Sequence, residues 1–279
     1  MPKTIQMIFR LWKQQAKMDL LWMLRDLRYF LIQVFSDTVG ALASVSAVLL
    51  LSRRFGGLGG FTFDEMLFLC GYALLTDGIL LLFFGGSNVA YISRIIGRGQ
   101  LDHMLIQPVP LWVQMITGGF IPFSGSSKFI YGAVMTAAAV SRLALPVTPL
   151  WLLALIGSLL LSTAVILSVV FVFSCGAFYA PVAAEEIAMK IHELFAETKN
   201  YPLAGFSARG ALAFCTVVPV GLAAWAPSGF LLESPVGVSS AIAFAAALIW
   251  FAAAALIFRK GLHHYEKYGS NRYTGFGHR

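Results

Sequence analysis

Apolar residues gather in six long runs, and the short segments between them hold most of the charge. The runs lie near residues 29–51, 66–90, 121–140, 150–178, 211–232 and 236–258. A hydrocarbon core of roughly 30 Å takes about 20 helical residues, so each run predicts a membrane-spanning helix. Backbone groups cannot stay unpaired in lipid, which makes helix the required form. Gly118, Gly119, Pro122 and Gly125 interrupt the start of the third run, so its deep part is expected nearer Ser126. The fourth run is long enough to tilt or protrude.

Two further segments show helical periodicity without continuous apolarity. Over residues 1–28, Ile5, Ile8, Phe9, Trp12, Ala16, Leu20, Met23, Leu24 and Leu27 recur at helical spacing, while Lys3, Arg10, Lys13 and Lys17 occupy much of the remaining surface. An apolar signal core and a small-residue cleavage site are both missing, so this is no secretory signal. It predicts an amphipathic elbow helix in the headgroup layer feeding the first span, with a cytoplasmic helix packed on a partner as the alternative. After the fourth run, Ile187, Ile191, Leu194 and Phe195 form a stripe, and Glu186 precedes Lys190 by four residues. That pattern predicts a cytoplasmic interfacial helix between spans four and five.

Composition narrows the class further. Of 279 residues, 58% are hydrophobic and 12% are charged, against roughly a quarter charged in a soluble domain; the mean hydropathy is +0.78. These values exclude a soluble enzyme, a disordered tail and a secreted disulfide scaffold. The net charge of +7 has to be read by position. Sixteen of the 20 Lys and Arg fall within 1–28, 91–120, 179–210 and 259–279, whereas Arg53, Arg54 and Arg142 lie in the intervening loops and Lys128 in the third run. The excess places those four segments and both termini in the cytoplasm, and it orients the chain rather than pointing to nucleic acid. With no linker or internal repeat, residues 1–279 read as a single transmembrane domain.

Catalytic signatures are absent. GxxxxGK[ST], HExxH and GxSxG do not occur, so ATP phosphates have no Walker cradle here. Cys70, Cys175 and Cys215 lie in apolar stretches without ligand spacing and read as small packed hydrophobes. His263-His264 lacks a neighbouring acid or thiol and reads as part of a basic anchor for the last span. No metal or cofactor is expected. Asp37 and Asp77 are more informative, because an acid inside a span faces a bundle interior, a polar partner or a water path. At 1.5 Å per residue, they lie about 12 Å and about 13 Å from the cytoplasmic edge. The equal depth makes them candidate translocation-path residues. The structural alternative is hydrogen bonding to Ser, Thr or Tyr, or pairing with Lys128.

The segment NVAYISRIIGRGQLDHMLIQPVPLWVQMI follows the second run, and its Gly99, Leu101, Asp102, Leu105 and Pro108 match an Ile/Arg-x-Gly-x-Leu-Asp-x-x-Leu-x-x-Pro pattern. With Tyr201-Pro202-Leu203, Pro219, Pro227 and the short basic tail, the chain resembles the membrane (permease) subunit of an ATP-binding-cassette type-2 exporter, in its compact six-span subgroup. Gln107 departs from the pattern, which often has Arg before the Pro. The resemblance implies an all-α integral membrane protein with six transmembrane helices, an N-terminal elbow and short cytoplasmic coupling helices. It implies a permease without ATPase activity of its own, docked through those five residues on an ABC ATPase subunit that binds the ATP. A second permease subunit would face it around the path, in a prokaryotic inner (plasma) membrane. A membrane-embedded lipid-modifying enzyme using the two acids, or a non-transporting anchor, are the alternatives from other classes.

Overall fold

A computed structural model of the chain describes residues 2–85, 92–203, 206–234 and 240–269. The elements follow the order α1 (Pro2–Arg25), α2 (Leu27–Phe55), α3 (Phe63–Phe84), α4 (Ile92–Gly97), α5 (Gln100–Leu105), α6 (Leu111–Thr117), α7 (Ser127–Arg142), α8 (Pro149–Ser174), α9 (Pro181–Thr198), α10 (Ala208–Thr216), α11 (Trp225–Leu231) and α12 (Ser240–Tyr268). Single 3-10 turns occur at Cys175–Phe178 and Pro219–Leu222. Among the described residues, four helices are long and apolar enough to cross a membrane, matching the first, second, fourth and sixth runs. Residues 86–90 of the second run and 236–239 of the sixth lie outside the described residues. The third run becomes the 16-residue α7, which begins at Ser127 as its Gly and Pro interruptions predict.

Several helix ends have a local cause. Asp26 caps α2 by accepting from the Tyr29 amide, and Gly56 ends it in the left-handed region at φ 70°. Thr62 and Glu65 form a reciprocal capping box at the start of α3, which satisfies amides that lipid could not. The ends of α7 and α3 meet where Arg142 reaches Asp64 at 3.4 Å. Between those ends the two helices pack closely: a Cβ on Gly78 would sit 2.4 Å from the Phe129 backbone, and one on Gly132 would sit 2.4 Å from the Leu75 amide nitrogen. Small residues at such a seam allow backbone approach, the principal source of helix association in lipid.

Two elements depart from the sequence reading. The fifth run, 211–232, is not a continuous helix. α10, the turn at Pro219–Leu222 and α11 form a broken hairpin instead. Its ends are held by side chains: Trp250 Nε1 donates to the Thr216 carbonyl (2.9 Å), Ser162 Oγ to Leu222 (2.9 Å) and Trp151 Nε1 to Leu231 (3.2 Å). Pro219 breaks the run at the turn, Pro227 is accommodated in the first turn of α11, and the donors satisfy carbonyls left free at the ends of these short pieces.

The second departure is α9, expected as an interfacial helix. It begins beside α4, where Arg94 donates to Glu185 at 2.6 Å. It runs back along the bundle, and its exit leaves Pro202 close enough to Gly59 in the α2–α3 turn that a Cβ there would lie 2.8 Å away. Its 18 residues make about 27 Å of helix. The inward stripe is Ala184, Ala188, Ile191 and Phe195, while Ile187 and Leu194 of the expected stripe are exposed. Small alanines let α9 lie close to α8, and this contact outweighs the charges on its far side.

Candidate functional site

The charges singled out in the sequence form one polar centre within the bundle. Lys199, just past α9, is 3% exposed and donates to Asp77 of α3. Lys128 in the first turn of α7 approaches the other Asp77 oxygen at 3.8 Å. Beside it, Ser127 Oγ donates to Asp37 of α2 at 3.2 Å. The two acids are thus linked through consecutive residues of α7 rather than paired with each other. Both parts of the structural alternative occur, with Lys128 near Asp77 and a serine on Asp37. Asn200 extends the centre by donating to the Ser44 carbonyl at 3.3 Å. A buried ammonium needs a carboxylate partner of this kind.

Lys199 was not legible as part of the site. Its only signal is position, since it continues the Ala188–Ile191–Phe195 stripe by one more turn. Asp19 was missed in the same way. It lies on the apolar stripe of α1 and accepts from the Phe123 amide (2.8 Å), the Ser124 amide (3.1 Å) and Ser124 Oγ (2.5 Å). With Trp12 against Phe83 and Phe120, it fastens α1 to the approach of α7.

The end of the bundle where α3 and α8 finish carries a compact knob. Gly99 adopts φ 69° between α4 and α5, a conformation glycine takes without steric cost. Leu101 is 1% exposed and packs with Ile92, Ile96, Phe178, Ala184 and Tyr265. Tyr265 of α12 donates its hydroxyl to Asp102 at 2.6 Å. Gln114 Nε2 donates to both the Met104 and Val109 carbonyls at 2.8 Å, clasping the chain on either side of Pro108. Of the five motif residues, Gly99, Leu101 and Asp102 face the protein, whereas Leu105 and Pro108 are exposed. Ile106 (81% exposed) and Trp112 enlarge that face into an apolar tip.

On α9, the side away from the bundle carries Glu186, Lys190, Glu193 and Glu197, all exposed, with Lys190 bonded to Glu193 at 2.7 Å. Their spacing of three or four residues makes one polar stripe along the helix.

Residues 39–269 match the family model described as ABC-2 family transporter protein. No curated protein and no solved structure matches the chain.

Proposed function

Since the chain belongs to the ABC-2 transporter family and is a multi-pass membrane protein, we propose that it is the permease subunit of an ATP-driven exporter. Residues 1–279 act as one domain. Six helices cross the membrane in this reading, α2, α3, α7, α8, α9 and α12, with α1 as the elbow and α10–α11 dipping in from the outer side. Both termini and the knob are cytoplasmic, the side favoured by the Lys and Arg distribution. The partner ATPase binds and hydrolyses ATP, and this chain needs no cofactor of its own. A second permease subunit, identical or related, completes the path in a prokaryotic inner membrane.

The observation that carries the reading is α9. Its exposed edge holds Glu186, Lys190, Glu193 and Glu197, and such groups at membrane depth cannot face hydrocarbon. They are assigned to the polar path between the two permeases, continuous with Asp37 and Asp77. The same helix is bonded to the knob through Glu185 and Arg94 and leads to Asp77 through Lys199. A displacement of the knob by the ATPase is therefore passed along one stiff element to the polar centre. Two packed arrangements that differ in ATPase contacts provide the switch.

Docking itself is assigned to Leu105, Ile106 and Pro108, with Gly99, Leu101 and Asp102 shaping the knob behind them. Leu105→Asp combined with Ile106→Asp should leave expression and melting temperature unchanged, because both side chains are exposed. Copurification of the ATPase with the permease should fall at least tenfold, since burying an acid at an apolar contact costs more than about 1.4 kcal/mol. Unchanged copurification would remove the knob tip from the interface.

A further inference from the structure

The broken hairpin leaves a pocket that the transport reading does not use. Its volume is about 550 Å³, within the range of small-molecule sites. Leu161 of α8, Leu222, Ala226 and Phe230 of the hairpin, and Ala243 and Phe244 of α12 supply an apolar lining. On α8 the pocket is lined by Ser158 and Leu161, one helical turn apart. Leu222 is level with Ser162 and Leu231 with Trp151, a separation of about 16 Å by helical rise. Glu233 and Ser234 line the end beyond Leu231.

Glu233 is mismatched to its position in two ways. It stops α11 at φ 53°, with the Ser234 amide donating to Gly229 (2.9 Å) and the Glu233 amide to Phe230 (3.3 Å). That left-handed stop is usually a glycine, because a Cβ there is strained. It is also an acid at the C-terminal end of a helix, where the aligned peptide dipoles place partial negative charge. No ion pair reaches it among the described residues, and residues 235–239 contain no Lys or Arg. Local rules broken without local compensation mark a side chain retained for an external partner.

We propose that this pocket binds a cationic amphiphile, with its ammonium or amidinium head on Glu233 and its apolar body in the slot between α8, the hairpin and α12. One carboxylate against apolar walls suits an organic cation and is too poor in oxygen for a hydrated metal ion. The charge sign agrees with the acid-rich edge of α9. That such a molecule is leaving the path here rests on the transport reading; the binding site does not.

The test uses the purified full-length protein in phosphatidylcholine nanodiscs, with radiolabelled dodecyltrimethylammonium as probe and dodecyl sulfate and dodecyl maltoside as equal-chain controls. Saturable binding of the cationic probe is expected, tighter than either control and weakened about tenfold in Glu233→Gln. Glu233→Gly should weaken binding equally while raising the melting temperature, because glycine relieves the left-handed stop. Controls that bind as tightly as the cationic probe, or unaltered binding in Glu233→Gln, would overturn the proposal. A lower melting temperature in Glu233→Gly would overturn it too, by assigning the side chain to the fold. No ATPase is present, so a failure of the coupling reading cannot produce any of these results.

Discussion

Lys199 and Asp77 carry opposite charges that neither could hold alone at their depth. Removing one member of a buried pair costs roughly 3–5 kcal/mol, while replacing both with apolar groups is often neutral. Lys199→Met and Asp77→Leu should therefore each lower the melting temperature and detergent-extracted yield. The double variant should recover most of the loss, and strictly additive losses would show that the two residues are not coupled. Lys128, at 3.8 Å, is too far to replace Lys199 by hydrogen bonding. Asp102 invites a similar comparison. Its acceptor role toward Tyr265 makes Asp102→Lys a folding defect at the knob, so docking is tested cleanly only at Leu105 and Ile106. Both acids inside spans were legible in the sequence, because charge in an apolar run is conspicuous. Lys128 and a hydroxyl were legible as partners for them, but Lys199 was not, since pairing across 122 residues leaves no local trace.

Among the elements, the broken hairpin depends most on side chains from elsewhere. Ser162 accepts from Tyr72 (2.9 Å) when it donates to the Leu222 carbonyl (2.9 Å), so one hydroxyl ties α3, α8 and the hairpin together. Ser162→Ala orphans both groups and should cost about 2 kcal/mol, the desolvation penalty of buried unpaired polar atoms. Chemical or thermal denaturation in detergent would measure it. A loss below a few tenths of a kcal/mol would mean that the hairpin carbonyl is satisfied in another way. Hydropathy read residues 211–232 as a span because it sums apolarity and is blind to where the backbone breaks. α9 suffered the opposite error. Its charges hid a helix that lies along the bundle, because Ala184 and Ala188 contribute close packing rather than hydrophobicity.

At the scale of the whole molecule, orientation is the property that transport requires. The three cysteines are buried, so single introduced cysteines can be labelled over a low background. Arg54→Cys and Ser234→Cys should react with a membrane-impermeant maleimide in intact cells, and Ile106→Cys only after permeabilisation. Reaction of Ile106→Cys in sealed cells would invert the proposed topology and detach the knob from any cytoplasmic motor.

Composition and periodicity by themselves determined that this is an all-helical membrane chain, and they located four of its long spans and the start of α7. These features are local or cumulative: the transfer of about 20 apolar residues into hydrocarbon outweighs any single contact. The motif Gly99–Pro108 was legible through the family resemblance, with Gly99 and Pro108 as a turn and a stop in the local sequence. Tertiary structure decided that α9 runs along the bundle, that the fifth run folds back on itself, and that Asp37 and Asp77 meet Ser127, Lys128 and Lys199. It also turned Leu101 and Asp102 inward and left Leu105 and Ile106 outside. Those outcomes depend on distant donors and on the close fit of small residues, which neither hydropathy nor spacing can express.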